Sequence, residues 1–141
     1  MLKLKDFIFE VTYKSCRFYE KFFGVEFPFK NKKYDSVFVP EFNWGAMENP
    51  GCVTFMDTFV FKDQRPASTY TQFANTIAHE MAHMWFGNYV TMTWWNNIWL
   101  NESFADFISH YCLSNLTINS IPLTNIGVMF NTRKSWGYRE D

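Results

Sequence analysis

The feature that organises this 141-residue chain is the pentapeptide at residues 79–83, which reads His79-Glu80-Met81-Ala82-His83. Histidines four positions apart on a helix project from the same face, so their two imidazoles can share one metal ion. Glu80 is rotated by about 100° from His79 around such a helix, so it cannot easily bind the same ion. It would lie beside a water molecule held there. The spacing therefore predicts a metal site with an adjacent general base.

The sequence around this motif has the pattern of a helix. Apolar residues recur at helical spacing: Phe73, Ile77, Met81 and Met84. Gly87 stands where a C-terminal cap is expected, and Ser68 or Thr69 could cap the start.

A second apolar run, from about Asn101 to Leu113, predicts another helix, with Glu102 in its first turn. Its apolar positions are Phe104, Phe107, Ile108 and Tyr111. Catalytic zinc typically takes three protein ligands, and two histidines with one glutamate are a recurring set. We therefore expect His79, His83 and Glu102 to hold one Zn²⁺ per chain. Glu80 would take the proton of a zinc-activated water.

A histidine that binds a metal usually donates its other ring N–H to a carboxylate or carbonyl. Asp106, one turn after Glu102, is the expected partner of His79. His110 has no second donor at ligand spacing, so we expect it to have a structural role.

A pair of core histidines is the alternative interpretation, because a bare H-E-x-x-H pattern is short and occurs in proteins that bind no metal. The glutamate on a second predicted helix favours the metal site.

Three stretches together resemble the zinc aminopeptidases of the aminopeptidase N type. They are Gly45-Ala46-Met47-Glu48-Asn49, the sequence from His79 to Asn88, and the sequence from Trp94 to Glu102. The resemblance covers nearly the whole chain. It implies an α+β, thermolysin-like zinc metallopeptidase core, with residues 1–141 forming a single partial catalytic domain.

The resemblance also implies a substrate site at Gly45, Ala46, Met47, Glu48 and Asn49. Glu48 would bind the free amino terminus of a peptide, and the neighbouring backbone would pair with the peptide chain. A carboxylate at a fixed distance from the metal pairs with an ammonium group and rejects peptides cleaved deeper in the chain. Without the resemblance, this stretch predicts a turn between two strands, with Glu48 solvated.

In the family, an N-terminal β domain, a C-terminal helical domain and an oxyanion-stabilising tyrosine lie outside the region that this chain matches. The expected partners are therefore peptide substrates and the flanking domains of a longer polypeptide. Two alternatives to a complete aminopeptidase stay open: a zinc-binding remnant that binds peptide ends without catalysis, and a fragment that requires the rest of a polypeptide.

Composition and charge limit which other functions the chain is expected to have. A net charge of −1 gives no electrostatic reason to expect nucleic-acid or anionic-membrane binding. The sequence has no signal peptide or membrane-spanning segment, which predicts a cytoplasmic location. An aromatic content of 21% exceeds what one small domain is expected to bury, so we expect exposed aromatic patches. The three cysteines are predicted to be reduced and buried.

The remaining elements are a helix from Asp6 to Phe23, ended by Gly24, and strands at Lys33–Val39 and Cys52–Phe61. The helix carries apolar residues at Phe7, Val11, Phe18 and Phe22. Residues 89–93 predict a short strand, and residues 126–136 predict a last helix. These strands would place the Gly45–Asn49 stretch at a sheet edge, where an extended peptide can add as another strand.

Overall fold

A computed structural model describes residues 2–120 and residue 123. Its helices are α1 (Leu2–Phe23), α2 (Ala67–His83) and α3 (Ile98–Ser114). Its strands are β1 (Asp35–Val39), β2 (Ala46–Met47) and β3 (Cys52–Met56). Short 3-10 turns occupy Asp57–Phe59 and Trp95–Asn97. The mixed helix and strand content confirms the predicted α+β class. The helix predicted at residues 126–136 lies outside the described residues.

The three strands form one sheet in the order β1-β3-β2. β1 runs parallel to β3, with Asp35 opposite Cys52 and Val39 opposite Met56. β2 is antiparallel to β3 and pairs Ala46 with Phe55. Within the described sheet β2 is therefore an end strand, as predicted for the stretch that contains it.

Aromatic packing around α2 forms the core, and Phe73 lies at its centre. Its ring stacks on Phe59 with centroids 4.7 Å apart and contacts Phe55 and Phe61 edge-on. The predicted stripe on α2 is confirmed, because Phe73, Ile77 and Met81 are all at most 1% exposed. Large aromatic pairs of this kind stabilise a core beyond their buried area, by about 0.5–1.5 kcal/mol each.

Helix α1 packs along α2 and fixes the position of the metal-site helix. Its buried residues include Phe7, Val11 and Tyr19, and the Tyr19 hydroxyl donates a 2.9 Å hydrogen bond to the carbonyl of Ala78. Burial raises the pKa of Tyr19 well above 10, so the phenol stays a neutral donor. Phe22, predicted to be on the buried face, is instead 48% exposed.

Several predicted boundaries are wrong for local reasons. Helix α2 begins at Ala67 after Pro66, and neither Ser68 nor Thr69 caps it. Pro66 is the N-cap residue, and its carbonyl accepts a 3.0 Å hydrogen bond from the Thr69 N–H. Helix α3 begins three residues before Asn101, so Glu102 lies in its second turn.

Three predicted strands are also shorter than expected. β1 begins at Asp35 instead of Lys33. β3 ends at Met56 because the chain turns into a 3-10 helix, and residues 89–93 contribute only a single bridge between Phe86 and Val90. On α3, Phe107 and Tyr111 are 47% and 45% exposed, so the buried face of that helix is narrower than predicted.

Exposed aromatic side chains are present, as the composition predicts. Trp44, Trp94, Trp95 and Trp99 are each more than 60% exposed. Cys16, Cys52 and Cys112 are free thiols, but Cys52 is exposed rather than buried. Among the described residues, no helix has both the length and the apolar character that crossing a bilayer requires.

The carboxylate of Glu10 joins α1 to the segment after α3. It accepts hydrogen bonds of 2.8 Å from the backbone N–H groups of Asn119 and Ser120, and one of 2.6 Å from Lys14. Burial opposes ionisation, but these donors outweigh it and lower the pKa of Glu10 to about 2.

We predict that Glu10 contributes stability that depends on pH. Its pKa is lowered on folding, so the contribution is present above pH 4.5 and is lost as pH falls towards about 2. Denaturant unfolding of the parent and of Glu10→Gln across this range checks it, and the parent should lose more stability on acidification. Asp63→Asn, an exposed position, is the control and should follow the parent. Identical acid dependence in Glu10→Gln and the parent would contradict the prediction.

Candidate metal centre

Helix α2 presents His79 and His83 on the side that faces α3. Their Nε2 atoms lie 3.0 Å apart, with the two ring planes nearly perpendicular at 81°. From α3, the Glu102 carboxylate approaches both rings. Its Oε2 is 3.2 Å from Nε2 of His79, and its Oε1 is 3.7 Å from Nε2 of His83. The structure therefore brings together the three residues that the sequence predicts as ligands.

These separations fit a tetrahedral metal ion. Ligand atoms at about 2.0–2.1 Å from such an ion lie roughly 3.3 Å from one another. The 3.0 Å between the two Nε2 atoms and the 3.2 Å between Nε2 of His79 and Oε2 of Glu102 are close to that value, whereas the 3.7 Å to His83 is measured from the other oxygen of Glu102. Two unprotonated ring nitrogens and a carboxylate oxygen repel one another when they converge on one point. A cation at that point removes the repulsion, so the donor set His79, His83 and Glu102 is able to hold a metal ion.

Burial divides the centre into a closed side and an open side. The side chains of His83 and Glu80 are almost completely buried, whereas His79 is 19% exposed and Glu102 is 59% exposed. A ligand set that is fixed on one side and open on the other leaves room for substrate.

The Glu80 carboxylate lies beside the donor set without belonging to it. Three atoms lie within 4.8 Å of one another here: an oxygen of Glu80, a ring nitrogen of His83 and a carboxylate oxygen of Glu48. Glu80 Oε2 is buried and has no hydrogen-bond partner among the described residues. Burial is the main reason that the pKa of Glu80 rises to about 8, and the charges of Glu48 and Glu102 add to the rise against the opposing effect of His83. A nearby dication would favour the ionised carboxylate again.

The pKa values of Glu102 and His83 shift in opposite directions. The hydrogen bond with His79 and the nearby ring of His83 hold the pKa of Glu102 well below its usual range. Burial works against protonation of His83, but the carboxylates of Glu102, Glu48 and Glu80 nearby outweigh it and raise the pKa of His83. Carboxylates thus dominate the local electrostatics, which favours a bound cation.

The predicted substrate stretch reaches the same centre. β2 carries Ala46 and Met47, and Gly45 before it has a positive φ of 75°. The Glu48 carbonyl accepts a 2.7 Å hydrogen bond from the side chain of Asn88, which follows α2. Asn49 is exposed and its amide lies 3.4 Å from the Thr54 hydroxyl.

Asp106 does not meet His79. Among the described residues its carboxylate is near His110, with Oδ1 3.7 Å from Nδ1 of that ring, and its backbone carbonyl accepts from the same nitrogen at 2.7 Å. The pair lies four residues apart on α3, so the helix itself brings the groups together. Asp106 therefore cannot set the tautomer of His79 in this arrangement.

The partners of His83 are residues that the sequence analysis did not select. Nδ1 of His83 lies 3.2 Å from the carbonyl oxygen of Phe86 and 3.1 Å from Oδ1 of Asn101. Both atoms accept, so Nδ1 carries the hydrogen and the lone pair of Nε2 is left for the metal. The position of Asn101 directly before Glu102 was the available signal.

This geometry defines a candidate metal centre, with donors from two helices and a buried glutamate beside them. Residues 7–135 match the peptidase family M1 domain. The chain belongs to peptidase family M1, whose members are metallopeptidases.

Curated relatives agree with this assignment. Aminopeptidase N of Streptomyces lividans is 46% identical over 136 residues, which cover 96% of this chain and 16% of that protein. Leucyl aminopeptidase of Saccharolobus solfataricus is 46% identical over 112 residues, covering 78% of this chain and 14% of the relative. Tricorn protease-interacting factor F2 of Thermoplasma acidophilum is 46% identical over 115 residues, with the same shares. The chain thus spans about one seventh of the length of these relatives.

We predict that Gly87→Ala weakens metal binding. Gly87 has a φ of 126°, and a Cβ there would collide with Oδ1 of Asn101 and lie 3.1 Å from Nδ1 of His83. Disturbing the partner of a metal-binding histidine typically costs about 10- to 100-fold in affinity. Competition with a chromogenic chelator measures the effect on zinc binding.

Gly24→Ala is the matched control. Gly24 also has a positive φ, of 66°, but a Cβ there would meet nothing within 4 Å. Both variants are strained, by about 1–3 kcal/mol. Only Gly87→Ala should lose zinc affinity, and equal affinities in the two variants would refute the steric explanation.

Proposed function

We propose that this chain is the metal-binding part of a zinc-dependent aminopeptidase with a thermolysin-like core, which removes amino-terminal residues from peptides. The observation that carries the proposal is that two groups share His83. One is the donor set with His79 and Glu102, and the other is a carboxylate pair, Glu48 and Glu80. A metal ion, a base and an anionic site for an amine would then act on one peptide bond.

Zinc is the proposed ion, with His79, His83 and Glu102 as its ligands. Two imidazoles and one carboxylate are a recurring ligand set of catalytic zinc sites. When bound, zinc polarises a carbonyl group and lowers the pKa of a coordinated water. The exposed side of His79 and Glu102 supports a position open to substrate.

Glu80 is proposed to transfer protons. Its Oε2 is buried and has no partner among the described residues, so it is available to take a proton from the attacking water. The same oxygen can then give that proton to the amine nitrogen that leaves. The Glu80 side chain is 5% exposed, so bulk water has little access to the proton that it would hold.

Glu48 is proposed to bind the substrate's amino terminus. A carboxylate near His83 and Glu80 pairs with an ammonium group about one residue from the cleaved bond, which favours exopeptidase over endopeptidase action. Gly45, Ala46, Met47 and Asn49 would line the peptide. The end position of β2 in the described sheet supports such strand addition.

The activity of the whole protein would draw on more than these residues. The relatives named as aminopeptidases are about seven times as long as the region they share with this chain. We propose that residues 1–141 form part of one catalytic domain, and that the flanking parts of a longer polypeptide pack against it. The exposed tryptophans support this proposal, since large exposed apolar side chains in clusters mark contact surfaces.

We predict that, in any form of the protein that hydrolyses peptides, Glu80→Gln keeps zinc but loses hydrolysis. The amide has the same shape and cannot take a proton, so turnover of an amino-acid 4-nitroanilide should fall by about 100- to 10,000-fold. Zinc content and turnover are measured in the same sample. Glu26→Gln, an exposed position, is the control and should match the parent in both. Undiminished turnover in Glu80→Gln would rule out Glu80 as the base.

We further predict that Glu48→Gln raises KM for substrates with a free amine. Loss of a charged hydrogen-bond partner costs about 1.5–3 kcal/mol, or roughly 10- to 100-fold in binding. The amide keeps an oxygen that can accept from Asn101, so the change isolates the charge. Zinc content should stay at the parent value. An unchanged KM would show that Glu48 does not bind the amine.

A further inference from the structure

The side chain of Asn101 lies between His83 and Glu48. Its Oδ1 is 3.1 Å from Nδ1 of His83, and its Nδ2 is 3.3 Å from Oε1 of Glu48. The same Nδ2 is 3.4 Å from Oε1 of the adjacent Glu102. One amide therefore contacts two expected metal ligands and the expected amine-binding carboxylate.

The chemistry of the neighbours fixes which way this amide points. Carboxylate oxygens accept hydrogen bonds, so Glu48 and Glu102 require the NH₂ end of Asn101. The oxygen end must then face His83, whose Nδ1 carries the hydrogen. Alanine could neither donate nor accept, aspartate could not donate, and serine or threonine has a single O–H where two carboxylates accept.

Gly87 leaves the space that this arrangement needs. Any Cβ at position 87 would collide with Oδ1 of Asn101. The turn after α2 and the second turn of α3 are therefore in direct contact at this amide. The Asn101 side chain is half-buried, so its hydrogen bonds are partly protected from water.

We propose that Asn101 is a positioning residue that couples the two halves of the site: it orients His83 for the metal and holds the Glu48 carboxylate at a fixed distance from it. This inference rests on the proposed function, because Glu48 is an amine site only in that account. In effect Asn101 sets the spacing on which exopeptidase specificity depends. It acts through His83 and Glu48 and does not itself touch substrate.

Zinc affinity tests the half of the proposal that concerns His83. Asn101→Ala should weaken zinc binding by about tenfold, the low end for such partners, because the Phe86 carbonyl still accepts from Nδ1. Asn101→Asp keeps an acceptor for Nδ1 and should bind zinc as well as the parent does. Asn96→Asp, which adds the same charge at an exposed position five residues earlier, is the control. Equal losses in Asn101→Ala and Asn101→Asp would overturn the orienting role.

A double-mutant cycle tests the half that concerns Glu48. The readout is the dissociation constant of L-leucinamide on the zinc-loaded chain, followed by NMR titration, with N-acetyl-L-leucinamide as the ligand that lacks a free amine. Asn101→Ala should weaken L-leucinamide binding by about tenfold in the parent. In a Glu48→Ala background it should cause no further loss, because the group through which it acts is gone. A merely structural role predicts equal losses in both backgrounds, and that result would overturn the coupling.

Failure of the proposed function is distinguishable from failure of this inference. If the zinc-loaded parent binds L-leucinamide and its N-acetyl derivative equally, Glu48 is not an amine site, and the coupling role of Asn101 falls with it. The zinc affinities of Asn101→Ala and Asn101→Asp would still decide whether Asn101 orients His83. Circular dichroism of each variant confirms that the chain is folded before either comparison.

Discussion

The register between α2 and α3 is the constraint on which this site depends. The two histidines share a face because they lie four residues apart on α2, but Glu102 reaches them only if α3 is correctly aligned. A shift of one residue along α3 would rotate Glu102 by about 100° and remove it from the ring nitrogens. A buried hydrogen bond from Ser109 to Asn75, 3.1 Å long, and the contact between the rings of Phe86 and Phe104 hold that alignment. Buried polar pairs of this kind are costly when mismatched, so they specify one register.

The concentration of negative charge is the second requirement of the centre. Glu48, Glu80 and Glu102 surround His83, and burial makes their mutual repulsion stronger than it would be in water. Burial is the main cause of the raised pKa of Glu80, and the charges of Glu48 and Glu102 add to it. A bound cation would attract all three carboxylates. The crowding that destabilises their ionised forms without metal would therefore favour metal binding. Hydrogen bonds from Asn101 and Asn88 then keep Glu48 near the centre without neutralising it.

The sequence predicts those parts of the site that depend on spacing within one helix. His79, His83 and Glu80 follow from helical geometry, and the apolar stripe at Phe73, Ile77 and Met81 identifies the helix itself. Contacts between different helices and strands are harder to predict from the sequence. Asp106 meets the histidine of its own helix, not His79, because spacing along a chain does not reveal how two helices rotate against each other. The role of Asn101 is not predictable from spacing for the same reason, because it depends on Gly87 and Glu48, which are distant in sequence.

The zinc content of the purified, folded chain tests the central claim most directly. The account predicts an equimolar amount of tightly bound zinc in the parent, none in His83→Gln, and an unchanged amount in His110→Gln, since His110 lies apart from the donor set. Loss of zinc in both histidine variants, or its retention in His83→Gln, would contradict the assignment of the ligands. A folded parent that binds no zinc would contradict the metal centre itself.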